Sequence, residues 1–136
     1  MPYMPKATPW GPSQGEDEIA PGIVKYHTAS HGGFHLSADR QKLFERRFPD
    51  FGTFCGGAWY EEDCDSAAVV IAHWEHFPQE SLQNAVDSAK WSCDYHKRER
   101  SQRLAGWQQV LAYGTKILAD LNRVNRETDA ALAAVS

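Results

Sequence analysis

The fold of this 136-residue chain is organised around an acidic stretch that directly precedes an apolar run, Trp59-Tyr60-Glu61-Glu62-Asp63-Cys64-Asp65. Four carboxylates occupy five consecutive positions in it. Negative side chains at the start of a helix stabilise its positive dipole end and cap free N–H groups. The stretch therefore predicts a central helix that begins near residue 62 and ends at residue 77, before Pro78.

Upstream of this helix, the sequence predicts a small antiparallel sheet. Residues 16–20 and 23–28 flank Pro21-Gly22, a pair suited to a tight turn, and the second segment is rich in β-branched and aromatic residues. Residues 34–36 predict a third short strand. Between the second and third strands, Gly32 and Gly33 predict a structural loop, because glycine permits backbone conformations closed to other residues.

The other helices are predicted from caps and hydrophobic periodicity. Ser37 predicts the N-cap of a helix over residues 38–47, and Pro78 precedes a helix that reaches residue 91 or further. From Leu104 to Leu121, apolar residues and Gly114 repeat at spacings of three and four. Such a stripe packs on the body of its own chain or pairs with a second copy, and a homodimer through this helix stays open.

These elements predict an α+β fold in a single domain spanning residues 1–136. Residues 1–13, which hold four prolines, predict an extended arm with Trp10 against the body. Residues 14–77 predict a core of hairpin, short strand and central helix, and residues 78–136 a helical extension.

The composition excludes several classes of protein. No apolar run approaches the ~20 residues that a membrane-spanning helix needs, and the first residues lack the apolar core of a signal peptide. We therefore expect a cytoplasmic protein without membrane contact. The three cysteines show no C-x-x-C spacing, so neither a disulfide framework nor a cysteine-based zinc site is indicated.

The net charge of −4 is unevenly distributed. Residues 1–80 carry twelve acids against six Lys and Arg, whereas residues 81–136 carry six against eight. The acidic first part predicts a protein partner with a basic surface. The charge argues against nucleic acid as the partner, and the basic run at residues 97–103 is interrupted by Glu99, as in a solvated helix face.

The acidic stretch also holds the densest set of candidate catalytic groups. Together with His31, the residues Glu61, Glu62 and Asp63 comprise the groups that a proton-transfer site uses. The alternative is structural, with the acids capping a helix and His31 bonding one of them to hold the glycine loop. Perturbed charge clusters are often only structural networks, and we favour that reading.

We expect neither a metal nor another cofactor. His27, His31 and His35 are spaced four apart, but the glycines and strand-like flanks make a helix there improbable, so the spacing carries no meaning. A zinc site built from His31 with Glu61 or Asp63 requires the two loops to converge.

Four motifs in order resemble a domain family of unknown function that bacteriophages, plasmids and other mobile elements carry. They are Thr8-Pro9-Trp10-Gly11, Ile19-Ala20-Pro21-Gly22-Ile23, Ser30-His31-Gly32-Gly33 and the acidic stretch itself. The resemblance covers roughly residues 8–77. It implies an accessory protein of a mobile element and no established catalytic residue.

A second, shorter resemblance concerns Tyr26-His27-Thr28-Ala29-Ser30, which is similar to the opening strand of ADP-ribosyltransferases. It implies that His27 binds the nicotinamide ribose and that Glu61 or Glu62 is the catalytic glutamate.

The sequence favours a small acidic, non-enzymatic inhibitor that binds a host defence or regulatory protein, of the anti-CRISPR or antirestriction type. Its expected contact surface consists of carboxylates offered to Arg or Lys of the partner: Glu16, Asp17, Glu18, Glu61, Glu62 and Asp63. The alternative is a small hydrolase or transferase that uses His31 with Glu61, Glu62 and Asp63, and this alternative predicts that these side chains meet in a pocket.

Overall fold

In the computed structural model, which describes residues 7–53 and 57–135, the strands come first along the chain and most of the helices last. The strands are β1 (Ala7–Thr8), β2 (Gly11–Pro12), β3 (Gly15–Ala20), β4 (Ile23–His27), β5 (Gly32–Leu36) and β6 (Trp59–Glu61). The helices are α1 (Ala38–Arg47), α2 (Ser66–Ala72), α3 (Gln79–Arg98) and α4 (Leu104–Val135). This is the α+β fold that the sequence predicts.

Strands β3 to β6 form an antiparallel sheet in the order β3-β4-β5-β6, so that β3 and β6 are its edges. The predicted hairpin and third strand are confirmed, whereas β6 is a strand that the sequence analysis did not predict. Gly22 takes a positive φ of 85°, and a side chain there would meet Ser37 and Arg40. The Pro21-Gly22 turn therefore docks on the start of α1, where Arg40 Nε donates to the Pro21 carbonyl over 2.9 Å.

The two faces of this sheet have different roles. One face is the core face, and its buried side chains are Ile23, Phe34, Leu36 and Tyr60. On the other face Trp10, from the turn between β1 and β2, packs edge-on against Trp59 with ring centroids 5.7 Å apart. The predicted docking of Trp10 is thus confirmed, while residues 1–6 of the predicted arm lie outside the described residues.

Gly33 is a strand residue rather than part of a loop, which corrects the sequence-based assignment of Gly32 and Gly33. Both glycines open β5. A Cβ on Gly33 would lie 2.5 Å from the Trp10 ring and would also clash with the Tyr60 carbonyl. The missing side chain therefore lets the edge of the Trp10 ring approach the strand backbone closely, which is a packing role.

Helix α1 begins as predicted, with the Ser37 hydroxyl accepting from Arg40 N over 3.4 Å. The central helix is shorter than the predicted range of residues 62–77. Helix α2 runs only from Ser66 to Ala72 and is followed by a short 3-10 turn at Trp74–His76. Residues 62–65 form a turn ahead of it, and Asp65 stands at its N-cap without a capping hydrogen bond from its side chain.

Helices α3 and α4 pack as an antiparallel pair. Gln79 at the start of α3 donates to Asn122 and accepts from Asn125, both late in α4. Midway, Gly114 lets the helices approach, because a Cβ there would lie 3.0 Å from Val86 and 3.1 Å from Ile71. The close packing joins both helices to α2.

The predicted stripe on α4 is mostly internal. Trp107, Val110, Gly114 and Leu118 are buried within the chain. They share one hydrophobic core with the sheet residues and with α2 and α3. Beyond Leu121 the helix continues with exposed side chains that include Val124 and Leu132. Among the described residues, none of the helices is both long and apolar enough to cross a membrane.

Candidate functional site

The acidic stretch forms the connection between the edge strand β6 and helix α2. The Glu61 carbonyl accepts from Cys64 N over 3.2 Å and from Asp65 N over 2.9 Å, which closes a tight turn. Because the chain reverses within these residues, neighbouring carboxylates point to different surroundings. Glu62 and Asp63 are exposed, the Glu61 side chain is 12% exposed, and Asp65 is completely buried.

The structure brings together three of the candidate catalytic residues. Antiparallel pairing places Gly33 opposite Glu61. His31 therefore lies beside the turn at residues 61–65, which we call the acidic turn. His31 Nδ1 is 3.4 Å from Glu61 Oε1. One ligand atom each of His31, Glu61 and Asp63 lies within 4.8 Å of the other two. The two loops therefore converge, as a zinc site built from these residues requires. The enzyme alternative also requires a shared pocket, and the pocket beside this turn is lined by Glu62 and Asp63 but not by His31 or Glu61.

The loop that carries His31 is held by Thr28. The Thr28 hydroxyl donates to the His31 carbonyl over 2.5 Å and accepts from His31 N over 3.1 Å. Thr28 N also donates to the His31 carbonyl over 2.9 Å. Glu62 N donates to the Gly32 carbonyl over 2.9 Å, which ties this loop to the acidic turn.

Asp65 makes a contact that the sequence did not indicate. Its carboxylate accepts from Arg103 Nη2, which comes from the turn before α4. Arg103 also donates from Nε and Nη2 to the Gly52 carbonyl and lies over the Phe51 ring. This buried ion pair fastens the acidic turn to the helical part of the chain.

A pocket of about 680 Å³ lies between the acidic turn and the α3–α4 connection. Glu62 and Asp63 line one side, and Arg103 and His96 line the other. At its mouth Trp91 and Tyr95, exposed at 64% and 40%, stack with their planes 8° apart. Their i, i+4 spacing on a predicted helix was the only signal for this aromatic pair in the sequence.

The titration of the pocket residues limits their chemistry. Burial, together with the charges of Glu61 and Asp65, raises the pKa of the Cys64 thiol above its usual value. Burial also lowers the pKa of His96, with a further contribution from Arg103. At neutral pH Cys64 is therefore a protonated thiol, which is a poor nucleophile.

The expected acidic contact surface is divided into two patches. Glu16, Asp17 and Glu18 are exposed on edge strand β3, and Glu62 and Asp63 lie beyond the opposite edge. Three strand spacings separate the edges, which is about 14 Å. We name them the β3 patch and the turn patch. The Glu61 side chain is 12% exposed, so it offers a partner less of its carboxylate than the exposed Glu62 and Asp63 do.

His27 does not join the carboxylates of the acidic stretch. Its Nε2 lies 2.9 Å from Asp17 Oδ2 in the β3 patch. The histidine beside Glu61 is His31 instead. In the short segment that resembles ADP-ribosyltransferases, the histidine is therefore paired with Asp17 and not with Glu61 or Glu62.

The chain belongs to a family of domains of unknown function, DUF7007, whose family model matches residues 3–112. The expected membership of a family without assigned activity is confirmed. The match continues past residue 77 through α3 and into α4, so it includes helices that the sequence analysis placed outside the resemblance. No curated protein and no solved structure matches the chain.

Proposed function

We propose that this chain is a small non-enzymatic binding protein that inhibits a host protein through the β3 patch. The observation that carries the proposal is the row of exposed carboxylates on an edge strand, Glu16, Asp17 and Glu18. Carboxylates bind Arg and Lys side chains through charge-assisted hydrogen bonds. An edge strand can also accept a partner strand along its outer backbone.

The charge pattern supports a basic partner segment. Glu16 and Glu18 point to one face of the sheet and Asp17 to the other, since alternate residues of a strand face opposite sides. A partner strand with Lys or Arg at consecutive positions would place basic side chains on both faces and so pair with both sets. The turn patch, with Glu62 and Asp63, would add attraction over a longer range.

The proposed setting is a phage or mobile element whose product acts in the host cytoplasm against a defence or regulatory protein, as anti-CRISPR and antirestriction proteins do. Its support is the motif series that resembles a mobile-element family, together with the acidic charge. This setting is compatible with membership of a domain family of unknown function.

The test is binding to a partner captured from host lysate and then purified. We expect the E16K/D17K/E18K variant to lose about tenfold or more in affinity and to show a weaker salt dependence. The matched control is D120K/E127K/D129K, which reverses three charges on the exposed end of α4 and should bind like the wild type. Equal binding by the two variants would contradict the assignment of the β3 patch.

A second candidate is a small hydrolase or transferase, and the convergence of His31, Glu61 and Asp63 favours it. In that reading His31 is the general base and Glu61 orients its imidazole. Turnover of phosphoester, carboxyester and NAD⁺ substrates should then fall in His31→Asn and persist in His27→Asn. Loss of turnover in both variants, or in neither, would remove this candidate.

A homodimer through α4 remains a proposal of narrower scope. Because Trp107, Gly114 and Leu118 are covered by the chain itself, a second copy would have to use the exposed side of the helix, including Val124. Sedimentation velocity at several concentrations would show a concentration-dependent dimer, and Val124→Glu should abolish it.

A further inference from the structure

We propose that His31, Glu61 and Asp63 bind a divalent transition-metal ion of the Zn²⁺ type. This inference goes beyond the proposed function and holds whether the chain inhibits a partner or catalyses a reaction. It also reverses the expectation from sequence, in which neither the histidine spacing nor the ligand set has the pattern of a zinc site.

The separation of the first two ligands fits a bound ion. Zinc binds nitrogen and oxygen ligands at about 2.0–2.2 Å, so two ligands in a tetrahedral site are about 3.4 Å apart. His31 Nδ1 and Glu61 Oε1 are 3.4 Å apart. Both could therefore bind one ion with little movement.

Asp63 supplies the third ligand. Its carboxylate oxygen lies within 4.8 Å of the other two ligand atoms. Because Asp63 is exposed and lies in a turn, rotation of its side chain can close the remaining distance. Three protein ligands leave at least one coordination position for water.

The charge balance at Glu61 favours a cation. The Glu61 side chain is only 12% exposed, and a buried carboxylate is costly unless it is paired. Within residues 7–53 and 57–135, His31 is the basic side chain within ion-pair distance of it, and an imidazole is charged only when protonated. A divalent ion would balance Glu61 with His31 neutral, the form in which histidine binds metals.

The backbone around the cluster is already fixed. Thr28 holds both the N–H and the carbonyl of His31, and β5–β6 pairing holds Glu61. Two of the three ligands therefore come from positions that hydrogen bonds restrain, so ion binding has little ordering cost at them. Imidazole with carboxylates suits Zn²⁺ or Mn²⁺ rather than Mg²⁺ or Ca²⁺, which prefer oxygen ligands alone.

The test is metal binding by the untagged full chain. After dialysis against chelator, the protein is titrated with Zn²⁺, Mn²⁺ and Mg²⁺ by calorimetry, and bound metal is counted by mass spectrometry. We expect one Zn²⁺ per chain, weaker Mn²⁺ and no measurable Mg²⁺. The midpoint temperature of unfolding should rise with Zn²⁺ concentration, since a ligand of the folded state stabilises it.

Matched variants separate this cluster from the other ligands nearby. His31→Asn and Asp63→Asn should each weaken Zn²⁺ binding about tenfold or more. Even the loss of a residue that only hydrogen-bonds to a metal ligand lowers metal affinity about tenfold or more. His27→Asn, Glu62→Gln and Cys64→Ser should bind as the wild type does. Glu61→Gln should weaken Zn²⁺ binding about as much as His31→Asn does. The unfolding temperatures of the metal-free variants identify any that fail to fold, and if Glu61→Gln is one of them, Asp63→Asn still tests the cluster because Asp63 is exposed.

The proposal is overturned if the wild type binds no Zn²⁺, or if His27→Asn weakens binding as much as His31→Asn. Loss of binding in Cys64→Ser would also overturn it, because the ion would then sit on the thiol and not on Asp63.

Discussion

The two ends of the acidic turn have opposite environments, although Glu61 and Asp65 are only four positions apart. At one end, Glu61 meets His31, whose side chain is 47% exposed. At the other end, Asp65 is completely buried and meets Arg103, whose side chain is 26% exposed. The first pair faces solvent, and the second joins the turn to the helical core.

This difference teaches that carboxylate density along a sequence does not indicate what each carboxylate does. The role of each carboxylate depends on the basic side chain that it contacts. That side chain belongs to a distant part of the chain: His31 lies in the loop before β5, and Arg103 lies in the turn before α4. We expect the Asp65–Arg103 pair to govern stability and the His31–Glu61 pair to govern binding.

The largest effect is expected from Arg103→Ala. Removing the guanidinium leaves the Asp65 carboxylate buried without this partner, and breaking a buried ion pair costs about 3–5 kcal/mol. Urea denaturation should show this loss in the free energy of unfolding. Arg103→Lys keeps the charge but cannot also reach the Gly52 carbonyl, so it should fall between wild type and Arg103→Ala.

A loss below about 1 kcal/mol for Arg103→Ala would contradict the comparison, because the pair would then behave like an exposed one. Asp65→Asn provides a second measurement. It removes the buried charge itself and should destabilise less than Arg103→Ala does.

The next effect concerns pH and a second buried group, His73. Burial, followed by the charge of Arg40, lowers the pKa of His73 from 6.5 to about 4. Because the folded-state pKa lies below the unfolded value, protonation favours the unfolded chain. Stability from this group is complete above pH 6.5 and is lost as the pH falls towards 4, by about 3 kcal/mol in all.

Chemical denaturation at a series of pH values from 7 to 4 would measure this loss. Carboxylates also titrate in this range, so the comparison needs His73→Gln, which keeps a donor for the Arg40 carbonyl that His73 Nε2 contacts at 3.2 Å. The pH dependence of this variant should be smaller than that of wild type. Equal slopes for both proteins would show that His73 is not the source.

The smallest effect is expected from His31→Ala. The imidazole is 47% exposed but the Glu61 carboxylate is only 12% exposed, so this pair lies between a surface and a buried ion pair, and the loss in the free energy of unfolding without added metal should be clearly smaller than that from Arg103→Ala. A loss as large as that from Arg103→Ala would mean that His31 is mainly structural, in conflict with the division drawn above.

The sequence predicted the elements whose signals are local. The Pro21-Gly22 turn, the Ser37 cap and the stripe on α4 each lie within one segment, and the structure contains all three. Strand β6 was missed because it is three residues long and is defined by pairing with β5. The extent of α2 was overestimated because acidic residues before an apolar run resemble a helix start even when they form a turn.

The candidate cluster could be predicted only in part for the same reason. His31 and Glu61 were identified by residue type, but their 3.4 Å separation follows from strand register, which no local pattern fixes. The pocket and the Asp65–Arg103 pair depend on how α3 and α4 return to the acidic turn. Contacts between residues 38 positions apart leave no periodic signal in a single sequence.

The stacked aromatic pair at the pocket mouth gives the molecule a built-in optical reporter. All five tryptophans lie in the described residues, and Trp91 is the one whose ring is largely open to solvent. Its emission should be quenched by iodide far more readily than that of Trp107, which is 1% exposed. Subtracting the spectrum of a Trp91→Phe variant would isolate this signal, so that occupation of the pocket could be followed by light without any attached dye.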